Sequence, residues 1–309
     1  MAVFAYSLND AFPPACLSGA VSLGNFDGVH LGHRALLTET IRQARRLAGP
    51  AVAVTFDPPP AQILRPQLCQ PLLTPVAYRS ELLHAGGADH VIVFKTTPAL
   101  LDLAAREFFD RILRHGLRAN AVVEGFNFAF GKDRSGTGPL LQTWGREAGM
   151  HVALLDAQLR GQQPISSSRI RGLLLAGDVR EANELLGSPY RLFGTVGLGN
   201  QRGRTLGFPT ANLTTLRNLP PGPGVYAARV SHQGASWNAA AHLGPRPTFG
   251  DASPSVEIHL LNFTGDLYGL ELAVDFVAKV REPRAFASVQ ELTQQIRVDI
   301  VAIESVLNS

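Results

Sequence analysis

The chain has 309 residues, of which 45% are hydrophobic and 17% charged, and its formal net charge at pH 7 is +3. This length suits two domains with a core each, and the composition excludes a disordered or fibrous chain. The basic residues form no block, so we expect small anionic ligands and no nucleic-acid partner. Cys16 and Cys69 have no metal-binding or disulfide spacing, and no apolar run has the length of a membrane span. We therefore expect a cytoplasmic protein without membrane association.

Through the first half of the chain, apolar segments of strand length alternate with segments of helical periodicity. Residues 51–56 form a continuous apolar run, as a strand buried on both faces of a sheet requires. The alternation predicts a mostly parallel α/β sheet with helices on both faces. The predicted strands cover residues 19–23, 51–56, 88–94, 121–123 and 151–155, and the predicted helices cover 33–48, 76–84, 98–115 and 140–148.

After residue 187 the pattern changes to short strands separated by Gly/Pro turns, and Gly187-Ser188-Pro189 has the composition of a hinge. Such a pattern predicts a small antiparallel barrel or sandwich. A helix with one apolar stripe is predicted at 289–306. The sequence thus predicts two domains, residues 1–187 and 188–309. The strands of the second are predicted at 192–196, 225–230, 239–242, 256–261 and 271–277.

The segment G-N-F-D-G-V-H-L-G-H, residues 24–33, lies between a predicted strand and a predicted helix. The start of a helix offers unpaired N–H groups and the positive end of the helix dipole, so it favours a bound phosphate. Glycines allow close approach of the backbone, and the imidazoles of His30 and His33 can hydrogen-bond phosphoryl oxygens. On these residues alone, two histidines that merely cap a turn remain the alternative.

Two further segments of the first half combine polar groups with a turn. I-S-S-S-R-I-R, residues 165–171, has more hydroxyl and guanidinium groups than helix capping needs, which favours a triphosphate ligand over a simple N-cap. The Gly-rich loop 125–136 carries three phenylalanines at alternate positions. They suit a planar aromatic ligand, with ordinary core packing as the alternative.

The second half has two candidate sites of its own. In the Gly-rich segment 203–212, the glycines suit a phosphate chain, and Thr210 and Asn212 offer oxygen ligands of the kind Mg²⁺ accepts. The alternative is a Gly-Pro turn between two strands. Glu257 lies on an otherwise apolar strand, and the alternation of side chains places it on the face opposite to its apolar neighbours. A carboxylate on such a strand is costly unless it is solvated or used. It is a candidate general base, with a plain surface glutamate as the alternative.

In their order and spacing, these segments resemble the motifs of the bacterial bifunctional riboflavin kinase/FAD synthetase family. The first-half motifs are G-N-F-D-G-V-H-L-G-H, V-T-F-D-P-P-P, G-F-N-F-A-F-G-K-D-R-S-G and I-S-S-S-R-I-R, and the second-half motifs are G-R-T-L-G-F-P-T-A-N-L, G-V-Y, G-P-R-P-T-F, V-E-I-H-L-L-N-F and L-Y-G. The resemblance implies a Rossmann-like nucleotidyltransferase domain that joins AMP from ATP to FMN, giving FAD and pyrophosphate. It also implies a β-barrel domain that makes FMN from riboflavin and ATP, with Mg²⁺ as the metal.

The resemblance also implies roles for individual residues. His30 and His33 would stabilise the transition state of an in-line attack by the FMN phosphate, and Glu257 would activate the 5′-hydroxyl of riboflavin. The implied catalytic residues are His30, His33, Arg171 and Glu257; the ATP-binding residues Gly24, Asn25, Phe26, Gly32, Ser167, Ser168, Gly203, Thr210 and Asn212; the flavin-binding residues Asn127, Phe128, Arg281 and Phe286; and the Mg²⁺ ligands Thr210 and Asn212.

Three residues depart from the family pattern. Pro59 stands where the second motif usually has histidine, Asn127 where the third often has aspartate, and His242 where asparagine is common. The loss of an imidazole at Pro59 leaves a second hypothesis open, a riboflavin kinase with an impaired adenylyltransferase domain. A third hypothesis is a first domain that senses flavin or nucleotide. The retained His30 and His33 argue against it, since a sensor need not keep a transfer site.

Overall fold

The structure is a computed structural model that describes residues 2–68, 70–198, 207–232, 234–244 and 255–308. Chain contacts divide it into two compact units, one formed by residues 1–70 and 74–166 and the other by residues 71–73 and 167–309. The predicted ATP-binding residue Gly203 lies outside the described residues.

The first unit contains ten strands and six α-helices in the described part of the chain. The strands are β1 (Ala2–Tyr6), β2 (Ala20–Leu23), β3 (Ala51–Asp57), β4 (His90–Lys95), β5 (Ala121–Gly125), β6 (Ala129–Phe130), β7 (Gly136–Thr137), β8 (His151–Leu155), β9 (Leu159–Arg160) and β10 (Gln163–Pro164), and the helices are α1 (Leu31–Arg46), α2 (Pro60–Leu64), α3 (Val76–Ala85), α4 (Pro98–Leu101), α5 (Ala105–Phe108) and α6 (Gly138–Glu147).

Six of these strands form one parallel sheet in the order β1-β4-β3-β2-β5-β8, which confirms the predicted parallel α/β fold. Successive side chains of each strand enter different layers of core. Val52 and Val54 of β3 pack with Phe109 on one face, whereas Ala53 packs with Leu37 and Leu83 on the other. The edge strand β1 is an addition that the sequence analysis did not predict.

The prediction of a single helix over 98–115 is wrong. The chain leaves helical geometry between α4 and α5 and then continues as a π-helix, Phe109–Gly116. At the break the Leu103 side chain is buried, and its carbonyl accepts a hydrogen bond from the N–H of Lys132 at 2.7 Å. Burial of Leu103 together with this long-range bond outweighs the local helical pattern.

The strand order indicates where the first unit can bind a ligand. From β2 the chain proceeds to β3 and β4 on one side and then returns to β5 on the other, so the order reverses between β2 and β5. Ligands of open α/β sheets bind outside the carboxyl ends of strands at such a reversal. The residues after β2 include His30 and His33, and those after β5 include Asn127.

The second unit is a closed six-stranded barrel with three helices in its described part. The strands are β11 (Tyr190–Gly197), β12 (Ala211–Leu216), β13 (Gly224–His232), β14 (Ala235–Gly244), β15 (Ser255–Leu260) and β16 (Glu271–Arg281), and the helices are α7 (Ser167–Ala176), α8 (Val179–Leu186) and α9 (Val289–Asn308). The barrel order is β11-β12-β15-β14-β13-β16, and all its described pairs are antiparallel. A barrel with a terminal helix is therefore confirmed, with β12 in addition to the five predicted strands.

Helices α8 and α9 pack on the barrel. The side chain of Asn183 on α8 accepts the N–H of Tyr190 at 2.7 Å and donates to the carbonyl of Phe276 at 2.8 Å. Ile303 and Leu307 of α9 form a core cluster with Val225 of β13. This packing explains why α8 belongs to the second compact unit; the functional boundary at 187/188 stays a prediction. Among the described helices, none has the length and apolarity to cross a membrane.

Candidate active sites

The turn between β2 and α1 has a strained backbone. Phe26 and Val29 adopt left-handed φ values of 46° and 41°, and Gly28 has φ of 92°. Such values are rare for residues with a side chain, especially a β-branched one, and in native proteins they cluster at functional sites. Both the Phe26 and Val29 side chains are buried, so only the backbone of Phe26 remains for its predicted contact with ATP. Asn25 beside it is exposed.

The two histidines of this turn form a stacked pair at the start of α1. Their ring centroids lie 3.6 Å apart at an interplanar angle of 15°. His30 is the N-cap residue of α1, and its Nδ1 accepts the backbone N–H of His33 at 3.3 Å. A Cβ at Gly32 would lie 3.1 Å from Cε1 of His30 and 3.6 Å from the carbonyl oxygen of Ile165. Glycine therefore allows the close packing of the turn against the ring of His30.

Both imidazoles are neutral at physiological pH. Burial lowers the pKa of His30 to about 4. Burial, with smaller effects from His30 and Arg79, places the pKa of His33 well below its usual value. Because Nδ1 of His30 accepts a hydrogen bond, the neutral ring carries its proton on Nε2 and can donate from there. The pair thus offers a hydrogen-bond donor without a positive charge at a helix N-terminus.

A buried ion pair between Asp27 and Arg79 supports this turn. The sequence analysis did not predict it. Asp27 accepts the N–H of Thr74 at 2.9 Å, and the Thr74 hydroxyl accepts the N–H of Gly28 at 3.0 Å. Arg79 is fully buried, donates to the Thr55 hydroxyl and the Thr74 carbonyl at 3.1 Å each, and lies 3.9 Å from Asp27. The one sequence feature that could have indicated this pair is Arg79 itself, a charged residue among the apolar residues of α3.

We expect Arg79→Met to destabilise the first unit by about 3–5 kcal/mol, because it removes a buried cation together with its bonds to Thr55 and Thr74 and its ion pair with Asp27. Urea denaturation of the purified chain measures this loss. Arg111→Met is the matched control, since the exposed Arg111 forms an ion pair with the exposed Glu107, a contact worth about 1 kcal/mol or less. Equal losses in the two variants would show that the buried pair has no special role.

The loop after β5 presents one exposed aromatic ring. Phe126 is 55% exposed, whereas Phe130 is 6% exposed and belongs to the core. Phe128 is half-buried and stacks on Phe130 at 5.4 Å between centroids. Asn127 is exposed beside Phe126. In this loop, Phe126 and Asn127 are thus more accessible to a ligand than Phe128. The sequence analysis selected Asn127 and Phe128, and their contact with flavin stays a prediction.

The remaining first-half candidates lie on α2 and α7. Pro59 is buried and is the N-cap residue of α2, two residues after the end of β3. Ser167 is half-buried and begins α7, in the second compact unit, and Ser168 beside it is exposed. Arg171 donates from Nε to the carbonyl of Pro71 at 2.9 Å. The role of these α7 residues in holding a triphosphate stays a prediction.

On the barrel, strand register brings the second-half candidates into one row. Asn212 of β12 faces Glu257 of β15, Glu257 faces His242 of β14, and Val225 of β13 faces both His242 and Arg281 of β16. Burial alternates along β15, with Glu257 between the buried residues on either side. The row therefore runs over the outer surface of the barrel, on the side where α9 covers Val225.

The P-T-A-N segment, residues 209–212, contacts β15 close to Glu257. Nδ1 of His259 lies 2.7 Å from the carbonyl oxygen of Pro209, and the rings of His259 and Phe208 meet edge to face at 5.8 Å. Thr210 is half-buried at the entrance to β12, two residues before Asn212. A hydroxyl and an amide oxygen are neutral hard donors, which fit Mg²⁺ when nucleotide phosphates supply the negative charge.

His242, which stands where asparagine is common in the family, lies among several charged residues. Partial desolvation lowers its pKa, the facing Glu257 carboxylate and Asp299 oppose this shift, and Arg281 adds to it. Its ring leans towards the end of β14, where Cε1 would lie 3.2 Å from a Cβ at Gly244. A titratable ring therefore stands beside the candidate general base.

Arg281 and Phe286 occupy the end of the row. Arg281 forms a bidentate ion pair with the buried Asp299 of α9, donating from Nη2 at 2.8 Å and from Nε at 2.9 Å. The guanidinium carbons of Arg281 and Arg284 lie 5.7 and 4.8 Å from the centroid of the Phe286 ring. The pair with Asp299, which sequence reasoning missed, gives Arg281 a structural role beside its predicted contact with flavin.

Comparison with known proteins matches both halves of the chain. The family model for FAD synthetase matches residues 15–169, and that for riboflavin kinase matches residues 186–307. A bifunctional riboflavin kinase/FMN adenylyltransferase of Pseudomonas fluorescens is 39% identical over 283 residues, 91% of this chain and 90% of its own length. The protein of the same description from Escherichia coli K12 is 34% identical, covering 95% of this chain and 93% of its own.

Among solved structures, one from Streptococcus pneumoniae has the same fold over nearly the full chain. It aligns with a TM-score of 0.88 at 31% identity, covering 97% of this chain and 99% of its own. That pneumococcal protein is described as a macrolide-efflux protein.

Proposed function

The chain belongs to the family of bifunctional riboflavin kinases and FMN adenylyltransferases, and from this we propose which of its residues perform the two reactions. It is an enzyme with a FAD synthetase domain and a riboflavin kinase domain, acting on riboflavin, FMN and ATP. The carrying observation is that each half has its own site, a histidine pair at the sheet reversal and a row containing Glu257 on the barrel. The comparisons offer no support for the impaired-adenylyltransferase alternative.

We propose that FAD is made at the turn after β2. A phosphate oxygen of FMN attacks the α-phosphorus of ATP, and the bond to the α,β-bridging oxygen breaks as pyrophosphate leaves. The start of α1 and the Nε2–H of His30 would stabilise the charge that develops on the α-phosphate. His33, stacked on His30, would hold that ring in place. Gly24, Asn25 and Gly32 would bind ATP, with Ser167, Ser168 and Arg171 on its phosphates.

We place riboflavin phosphorylation on the outer row of the barrel. Glu257 would accept the proton of the 5′-hydroxyl as its oxygen attacks the γ-phosphorus, and ADP leaves when the bond to the β,γ-bridging oxygen breaks. Thr210 and Asn212 would hold Mg²⁺, which shields the phosphate charges during transfer. The position of Asn212 opposite Glu257 supports this arrangement, since it places the proposed metal ligand beside the base. Arg281 and Phe286 would close on the flavin.

Three further assignments complete the proposal. We place the functional boundary at 187/188, in agreement with a riboflavin kinase match that begins at residue 186. For the adenylyltransferase, Asn127 and the neighbouring exposed Phe126 would contact FMN. A cytoplasmic location, with its supply of ATP, is the compartment we infer.

The product assay tests both activities on one preparation. We expect the purified chain, incubated with riboflavin and Mg-ATP, to form FMN first and then FAD with release of pyrophosphate. FMN without FAD would support the impaired-adenylyltransferase alternative at Pro59. Tight flavin binding without pyrophosphate release would support a sensing domain. Separation of riboflavin, FMN and FAD by chromatography distinguishes these results.

A further inference from the structure

Strands β2 and β5 separate before they end. They pair only at Ala20 with Ala121 and at Val21 with Val122. Each keeps its other neighbour further along, since Leu23 still pairs with Val54 of β3 and Gly125 with Leu155 of β8. The separation is therefore confined to the sheet reversal, between the turn that carries the histidine pair and the turn that carries Asn127.

The side chain of Glu124 bridges this gap. Its Oε1 accepts the backbone N–H of Leu23 at 2.6 Å, a bond that replaces a missing rung between the two strands. Glu124 is 2% exposed, and it forms no ion pair with any described residue. Burial raises the pKa of this carboxyl well above its usual value, which favours the uncharged acid. An uncharged acid avoids the cost of a buried unpaired charge.

We propose that Glu124 is a positioning residue for adenylyl transfer, which sets the spacing between the ATP-binding turn after β2 and the FMN-binding turn after β5. The inference rests on the proposed function of those two turns. Leu23, whose N–H it holds, directly precedes Gly24 and Asn25, and Glu124 itself precedes Gly125. One side chain thus joins the segments that must bring an α-phosphorus and an attacking phosphate together. A small change in their spacing has a large effect on an in-line reaction.

The test compares Glu124→Gln with Glu124→Leu in the full chain, with KM for ATP, KM for FMN and kcat measured separately. Glutamine keeps an uncharged acceptor of the same reach, so we expect kcat for FAD formation to stay near the wild-type value. Leucine fills the space but leaves the N–H of Leu23 unpaired, and we expect kcat to fall about tenfold or more. Riboflavin phosphorylation should be unchanged in both.

Leu141→Ala controls for lost stability, because Leu141 is fully buried on α6 and belongs to neither of the two turns. We expect it to lower the denaturation midpoint while its kcat stays near wild type. A kcat equal to wild type in Glu124→Leu, or equal losses with Gln and Leu, would overturn the proposal. If the leucine variant does not fold, Glu124→Asp, too short to span the gap, should give the same loss of kcat. Wild-type protein that makes no FAD would instead refute the proposed function.

Discussion

His30→Ala should lower FAD formation from FMN by about 10²–10³-fold, because it removes a preorganised donor to the developing charge on the α-phosphate. Riboflavin phosphorylation should continue at the wild-type rate, since Glu257 lies in the other compact unit. Initial rates with FMN and ATP, and separately with riboflavin and ATP, measure the two activities on the same preparation. Loss of both activities would contradict two separable sites.

His30 also caps α1, so the alanine variant loses about 1 kcal/mol of stability as well. His30→Asn separates the two effects, because asparagine is a favoured N-cap residue whose shorter side chain does not place a donor where Nε2 lies. We expect normal stability in the asparagine variant, with FAD formation as low as in the alanine variant. FAD formation at the wild-type rate in His30→Asn would reduce His30 to a capping residue.

What the sequence predicts well in the first unit is local. Apolar runs, glycines and a helical period placed the strand, turn and helix around His30 and His33, because each of these signals spans only a few residues. The supports of the turn come from elsewhere in the chain. Asp27 meets Thr74 across 47 positions, and Leu23 meets Glu124 across 101. No local pattern specifies such pairs, so the buried supports of the site were missed.

The barrel illustrates the same limit in a different form. Alternation predicted that Glu257 leaves the apolar side of its strand, and the structure confirms this. Its neighbours depend on the register of β12, β14 and β15, which places Asn212 on one side and His242 on the other. The sequence analysis did not predict β12, because the segment before it is rich in glycine and proline, which favour turns. The family motifs predicted which residues belong to the candidate site, whereas their positions relative to one another depend on strand pairing between distant segments.

Glu257→Gln should lower riboflavin phosphorylation by about 10²–10⁴-fold, the usual contribution of a general base. Glutamine keeps the size and the hydrogen-bonding oxygen of the side chain but accepts no proton at neutral pH. FAD formation from added FMN should be unaffected, because that reaction uses the site in the first unit. When riboflavin is the only flavin supplied, FAD should also disappear, since the chain no longer makes its own FMN.

The matched control is Glu271→Gln, which makes the same change of charge at the start of β16, where the exposed Glu271 pairs with Arg217. It should leave both activities near wild type, since a surface ion pair contributes about 1 kcal/mol or less to stability. If Glu257→Gln lowers the rate no more than Glu271→Gln does, the charge of the barrel rather than a base at Glu257 explains the effect. A large loss confined to Glu257→Gln, with KM for riboflavin unchanged, identifies a group that acts in the transition state.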